Sequence, residues 1–261
     1  MAIQESLSVS IIQPNTYWES PEANRAELEE MIADLPESTD LIVLPEMFTT
    51  GFSTNPQDFA EPMNFTTHRW MRQIAAQYQT AICGSLIIKE KDLFLNRLLF
   101  VFPNGDTSHY DKKHLFAFGG ETEFFSSGNE RLIVNYKGWK ICPLICYDLR
   151  FPVFSRNTNL AYDLLIYSAS WPASRSQVWD TLLKARALEN QSYVLGVNRV
   201  GTDGNHIAYS GDSLAIDPKG ILIADLQSNQ TSSSVHLSKN ELDNFRKKFP
   251  AHLDADEFRL L

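Results

Sequence analysis

Three cysteines in 261 residues is an odd, sparse count that builds no disulfide framework and fits a reducing cytoplasm. No Cys-x-x-Cys occurs. Cys142 and Cys146 come nearest to a pair, but four residues of extended strand span about 13 Å, too far for a shared metal ion or a disulfide. Basic charge is scarce: 23 Lys and Arg face 32 Asp and Glu, for a net charge of −9. That balance argues against a nucleic-acid partner or an anionic-membrane surface. Long apolar runs are missing. Leu41-Ile-Val-Leu44 and Leu98-Leu-Phe-Val-Phe102 are too short to cross a bilayer. The start, Met1-Ala-Ile-Gln-Glu5, lacks a basic stretch followed by an apolar one, so no secretory signal is expected.

Several catalytic signatures are absent as well. No Gly-x-Ser-x-Gly elbow supports a serine hydrolase. The six histidines form no His-Glu-x-x-His or other close cluster, so a metal hydrolase is unsupported. Gly201-Thr-Asp-Gly204 matches neither the dinucleotide nor the Walker phosphate pattern.

What is present is an alternation of strands and helices without repeat, linker or low-complexity tract. Ser6–Gln13 reads as a strand, and Ser20-Pro21 as the cap and first residue of a helix. Leu28, Met31, Ile32 and Leu35 continue that helix as an apolar stripe. Asp40–Leu44 reads as a strand buried on both faces. A helix over 65–78, strands over 80–88, 93–102 and 107–110, and a hairpin turn at Asn104-Gly105 follow. Further strands are expected over 132–136, 139–145, 164–168, 193–197, 212–216 and 221–225. Helices are expected over 174–189 and 239–247, before a polar, irregular tail. Hairpins interleaved with strand–helix units predict a mixed-sheet α/β sandwich in a single domain, 1–261, with 239–261 as C-terminal helix and tail.

The chemistry concentrates at strand ends. Cys146 closes the apolar run Trp139-Lys-Ile-Cys-Pro-Leu-Ile145 at an expected strand-to-helix corner. Such a corner exposes a side chain and aims free backbone N–H groups at it, which serves a nucleophile and an oxyanion; a plain core cysteine would look the same. Glu46 ends the strand beginning at Leu41, where α/β proteins build sites. Lys112 and Lys113 follow a strand; adjacent strand residues point to opposite faces, so at most one enters a cleft. Glu121 and Glu123 lie in an aromatic loop, and spacing does not say which is buried. Glu189 shares a helical stripe with Val178, Leu182 and Ala185 and needs a partner, for which Arg186 or Arg150 would serve.

A strand-end Glu, a post-strand Lys and a corner Cys, in that order, resemble the Glu-Lys-Cys triad of the nitrilase superfamily. The matching motifs are Leu44-Pro-Glu46-Met-Phe48, Tyr110-Asp-Lys112-Lys-His-Leu-Phe116 and Cys146-Tyr-Asp-Leu-Arg-Phe-Pro152. Ser170-Trp-Pro172, Arg186-Ala-Leu-Glu-Asn-Gln191 and Asn198-Arg-Val200 extend the likeness over nearly the whole chain. The resemblance implies an α-β-β-α sandwich, usually paired as a homodimer through the helices after the Cys and Trp-Pro motifs. It implies Glu46 as general base, Lys112 rather than Lys113 as the cation, Cys146 as nucleophile and Glu121 as second glutamate, with Glu123 as the alternative. Lys112 and the N–H of Tyr147 would form the oxyanion site, and no metal or organic cofactor is required.

Within the superfamily the chain most resembles the ω-amidase branch, which acts on short dicarboxylic acid monoamides such as 2-oxoglutaramate and succinamate. The tail Lys248-Phe-Pro-Ala-His-Leu-Asp-Ala-Asp-Glu-Phe258 narrows this towards bacterial members. A substrate with a remote carboxylate calls for a cation in the pocket, for which Arg175 is a candidate, with Trp171, Phe116 and Phe118 as apolar walls. The rival readings are another amidase or N-carbamoyl hydrolase of the superfamily, and a catalytically silent binding or regulatory protein on the same scaffold.

Overall fold

The computed structural model describes residues 5–256 and 258; the first four residues and the end of the expected tail lie outside the described residues. Strand β1 (Ser6–Gln13) leads through helix α1 (Pro21–Ala33) to the short strand β2 (Leu41–Val43). Helices α2 (Pro56–Phe59) and α3 (Thr66–Tyr78) precede strands β3 (Ala81–Glu90), β4 (Leu93–Val101) and β5 (Thr107–Asp111). A one-turn helix α4 (Glu121–Phe124) then carries the chain across to strands β6 (Val134–Tyr136) and β7 (Trp139–Ile145). Helix α5 (Pro152–Ser155), strand β8 (Leu164–Ser168), helix α6 (Ser176–Asn190) and strand β9 (Tyr193–Val197) follow. Two hairpins come next, β10 (Val200–Thr202) with β11 (Ala208–Ser210) and β12 (Leu214–Ile216) with β13 (Leu222–Asp225). Strand β14 (Thr231–Ser238) and helix α7 (Lys239–Lys248) close the fold.

Two six-stranded sheets result, ordered β14-β1-β2-β3-β4-β5 and β13-β12-β9-β8-β7-β6. The inner strands β1-β2-β3 and β7-β8-β9 run parallel, and the outer pairs are antiparallel. This is the expected mixed-sheet sandwich. Its inner faces meet in one core that joins Val9, Ile11, Val43 and Phe100 of the first sheet to Ile141, Leu164, Ile166 and Leu195 of the second. The outer face of the first sheet carries Ile12, Ile42 and Ile82, covered by Leu28 and Ile32 of α1 and by Met71 and Ile74 of α3. Burying one such side chain contributes about 1.5–3 kcal/mol.

Helix α6 covers the second sheet with Trp179, Leu183 and Ala187, all fully buried. A Cβ at Gly196 beneath it would lie 2.4 Å from Leu183 and 2.7 Å from Trp179, so glycine lets the helix seat on the strand. The apolar stripe expected through Val178, Leu182, Ala185 and Glu189 is therefore one residue out of phase. Those positions flank the buried face, and Glu189 is exposed at the rim, where it pairs with Arg186 at 2.9 Å. Arg186 itself is buried and donates to the carbonyl of Leu149 at 2.6 Å, tying α6 to the segment that carries Cys146.

Two features differ from the sequence expectation. Strand β14 was not expected, because Thr231-Ser-Ser-Ser234 reads as polar and irregular. It is an edge strand paired along the whole of β1, and only Val235 and Leu237 turn inward. Ser234 instead bonds Ser10 at 2.6 Å. The short hairpin β10–β11, which turns through Asp203-Gly204-Asn205, is also absent from the expected elements, and it forms one wall of the cleft described below. At the start of α1, Pro21 is the first helical residue as expected, but the Ser20 side chain makes no capping bond.

Candidate active site

Strand β2 ends two residues before Pro45-Glu46, and the backbone N–H of Glu46 reaches across to the carbonyl of Ala169 beyond β8 at 3.3 Å. This places the Glu46 carboxylate at the carboxyl ends of both sheets, fully enclosed at 1% exposure. Lys112 follows β5. Its backbone N–H donates to the carbonyl of Asn96 at 3.0 Å, and its own carbonyl accepts from Gly128 at 2.9 Å. A Cβ at Gly128 would lie 2.2 Å from the Asp111 carbonyl, so only glycine allows this close backing of the lysine strand.

That register sends the two lysines to opposite sides. The Lys112 Nζ is fully buried and donates to Glu46 Oε1 at 2.7 Å and to Glu121 Oε2 at 2.8 Å. Lys113 points the other way, to Asn129 at 3.2 Å on the surface. Between the glutamates the structure is equally plain: Glu121 is fully buried, and Glu123 is exposed. Glu121 Oε2 also accepts the Phe116 N–H at 2.6 Å. Burial would lower the lysine's affinity for its proton, but Glu121, Glu46 and Cys146 together raise its pKa well above the usual range. Burial, with Glu46 nearby, pushes the Glu121 carboxyl upward against the pull of Lys112 and Asn96.

Cys146 stands at the end of β7 with φ of +41°, a left-handed conformation that costs a non-glycine residue about 1–3 kcal/mol. The corner leads into a 3₁₀ turn, Cys146–Arg150, and then the one-turn α5. The expected helix is thus a tight five-residue turn followed by a single helical turn. Asp148, fully buried, braces the turn. It accepts from Ile145 N–H at 3.0 Å and Tyr110 Oη at 2.7 Å, and its other oxygen meets the His114 backbone N–H and ring Nδ1 at 3.1 and 2.7 Å. One carboxylate therefore clamps the cysteine turn to the loop that follows Lys112.

Burial and the nearby Glu46 raise the Cys146 thiol's pKa well above the free-thiol value, and Lys112 only partly offsets them. A protonated thiol against a carboxylate is the resting state these groups favour, and it suits nucleophilic attack assisted by a base. Cys83 and Cys142 are free and fully buried in the sheets. Burial pushes the Cys142 thiol up to about 12. Among the described residues no group of His, Cys, Asp and Glu is arranged to hold a metal ion.

A cleft opens over Cys146. Its walls include Phe116, Tyr147, Trp171 and Arg175, all singled out in the sequence, together with Phe52 and Arg150. Phe118 is 88% exposed and lies outside this lining, against Phe116. Arg150 sits over the Trp171 ring at 5.4 Å and Arg175 over the Phe116 ring at 5.3 Å. Among the described residues neither guanidinium is paired with a carboxylate. The opposite wall is the β10–β11 hairpin, which brings Asp203, Asn205, Ile207 and Tyr209. Asp203 is spoken for: it accepts from Tyr209 Oη at 2.9 Å and from two backbone N–H groups. Sequence reasoning missed this wall and Arg150's place in the cleft. Arg150 carried a readable signal, standing four residues after Cys146 on a turn that returns it to the same opening.

Known proteins share this arrangement of strands and strand ends. The carbon-nitrogen hydrolase family matches residues 8–247. The omega-amidase YafV of Escherichia coli (strain K12) is 44% identical over 255 residues, covering 97% of this chain and 98% of that protein. The 2-oxoglutaramate amidase of Bacillus subtilis (strain 168) is 32% identical over 222 residues, covering 84% and 85%. A solved CN-hydrolase superfamily protein of Xanthomonas campestris, with an arsenic adduct in its active site, has a TM-score of 0.97 at 42% identity and covers 99% of this chain and 100% of that one. The family match takes in both sheets and every strand end that carries Glu46, Lys112 and Cys146, and the chain belongs to the carbon-nitrogen hydrolase family.

Proposed function

We propose that this chain is an ω-amidase, hydrolysing the terminal amide of short dicarboxylic acid monoamides such as 2-oxoglutaramate and succinamate to the acid and ammonia. The observation that carries the substrate class is the pair of unpaired guanidiniums, Arg150 and Arg175, in the same small cleft as the Cys146 thiol. A carboxylate at the far end of the substrate is the natural partner for either, and Phe116 and Trp171 pack its methylene chain. The omega-amidase and 2-oxoglutaramate amidase relatives support the same reading.

Glu46 takes the Cys146 proton as sulfur attacks the amide carbon. The resulting oxyanion is met by Lys112 Nζ and the Tyr147 N–H. Glu46 returns the proton to the departing nitrogen, ammonia leaves, and a thioester remains on Cys146. Water, deprotonated by Glu46, then attacks the thioester and releases the acid and the thiol. Glu121 holds Lys112 in line throughout. No step needs a metal or an organic cofactor.

The enzyme works as a homodimer in the cytoplasm on this reading. The helices after the Cys and Trp-Pro motifs leave Val153 and Leu188 more than half exposed, at 53% and 55%, and the three thiols are all free. Light scattering tests the dimer, with Leu188→Glu expected to give monomers.

The deciding assay is ammonia release from succinamate, compared with N-carbamoyl amino acids and simple nitriles. Succinamate is expected to turn over fastest, and Arg150→Ala or Arg175→Ala to raise its KM at least about tenfold. Faster turnover of the carbamoyl compounds, with evolved carbon dioxide, would overturn the substrate class. Silence across a broad amide panel, with no selective alkylation of Cys146, would favour a binding protein on this scaffold.

A further inference from the structure

Asn96 occupies a fully buried position on β4, between Leu95 and Arg97. Its side-chain amide donates to Glu46 Oε1 and to Glu121 Oε1, both at 2.9 Å. Its Oδ1 accepts from the Ser85 hydroxyl at 2.9 Å, and the oxygen of that hydroxyl accepts the Met47 N–H at 2.9 Å. A hydroxyl has one proton. With the Met47 donor aimed at its oxygen, Ser85 directs that proton to Asn96, and the amide is held with its NH₂ end towards the carboxylates. The carbonyl of Asn96 also receives the Lys112 N–H. One uncharged residue therefore touches Glu46, Lys112 and Glu121.

The two oxygens of Glu46 differ in consequence. Oε1 accepts from both Lys112 and Asn96. Oε2 accepts only the Ser170 N–H, at 3.0 Å, and Ser170 lines the cleft together with Cys146. An oxygen filled by two donors is a poor resting place for a proton. Glu121 stands beside Glu46 with neither side chain exposed, where like charges favour protonating one of the two.

We propose that Asn96 is a positioning residue for the amidase reaction: it confines the proton that Glu46 carries to Oε2, facing Cys146, and keeps Glu121 ionised to hold Lys112. This rests on the reading of Glu46 as the general base. It adds a pinned neutral amide, set by Ser85 and Met47, to the Glu46, Lys112 and Cys146 group.

The test uses Asn96→Leu, which removes the donors at similar volume, Asn96→Asp, which replaces them with a third carboxylate, and Ser85→Ala, which keeps them but releases the amide. Two profiles against pH are measured on the full chain: kcat and KM for succinamate, and the rate of Cys146 alkylation by iodoacetamide, which needs no substrate. Asn96→Leu is expected to lower kcat about a hundredfold with KM within about threefold, and to move the acid limb of both profiles up by about one pH unit. Asn96→Asp should be worse and Ser85→Ala milder, about tenfold, with its limb moved the same way. Folded Asn96 variants with activity within threefold of wild type would overturn the proposal. So would lost activity with both acid limbs unmoved, since that is what a merely space-filling residue does. If the Asn96 variants do not fold, an unmoved limb in Ser85→Ala overturns it alone. If the wild-type chain is alkylated at Cys146 but hydrolyses none of the amides, the functional reading fails while the alkylation profiles still judge Asn96.

Discussion

Replacing Lys112 by Met takes the shared cation away from Glu46 and Glu121, which then face each other in a site with no exposed surface on any of the three side chains. Breaking a buried ion pair by removing one partner costs about 3–5 kcal/mol, because the remaining charge is left uncompensated. For a chain of this size about 2–4 °C of melting temperature goes with each kcal/mol, so Lys112→Met should melt about 6–20 °C below wild type. Turnover should fall further than stability alone explains. One oxyanion donor is worth about 10²–10³ in kcat, and the same lysine helps lower the thiol's pKa. A loss of at least about a thousandfold in ammonia release is expected.

The double variant Lys112→Met/Glu121→Gln separates the two effects. It removes one of the stranded carboxylates, so it should be more stable than Lys112→Met by more than about 1 kcal/mol, yet equally inactive. Lys113→Ala, at a half-buried lysine whose ammonium bonds Asn129 at the surface, should stay within about 0.5 kcal/mol and keep its activity. The measurements are thermal melts and ammonia release at a temperature where every variant is folded. Lys112→Met melting with wild type, or a double variant no more stable than the single, would refute the ionised cluster. An inactive Lys113→Ala beside an active Lys112→Met would refute the assignment of the cation.

Three further outcomes follow from the same packing. Cys146→Ala should abolish turnover and stay folded, and Cys146→Gly should melt higher than Cys146→Ala, because glycine tolerates φ of +41° and alanine does not; equal melting temperatures would show that the turn is unstrained. Iodoacetamide should label Cys146 alone in the folded chain, since Cys83 and Cys142 have no exposed surface, and peptide mapping finding either of those first would contradict the packing. At Asp163, burial alone would raise the carboxyl, but Lys239, the Lys140 N–H and Arg246 hold it below the usual range. A depressed carboxyl contributes stability above its unfolded pKa, about 3.9, and loses it as pH falls through the lower folded value. Asp163→Asn should therefore melt well below wild type at pH 7, with the gap narrowing below about pH 4; a gap independent of pH would show that the ion pairs with α7 contribute nothing.

Residue order along the chain determined a good deal by itself. Apolar runs of strand length and the Asn104-Gly105 turn set most strands to within two residues. Glu46 and Cys146 each stand at the end of such a run, and the Lys112-Lys113 doublet follows another. Spacing alone stopped short wherever the deciding contact lies between distant strands. Lys112 and Lys113 are equivalent until the bond to the Asn96 carbonyl sets their register, and Glu121 is separated from Glu123 only by the one-turn helix that buries the first. Asn96, in the run Leu95-Asn-Arg-Leu98, looks like any polar residue in a strand. Its meaning comes from two carboxylates 50 and 25 residues away in sequence. Arg150 and the β10–β11 hairpin likewise reach the cleft through the folding of one sheet over the other. Sequence records local preference, which is enough for strands, turns and the kinds of residue chemistry requires. Which donor meets which oxygen is a distance across the sandwich, and only the packed tertiary structure decides it.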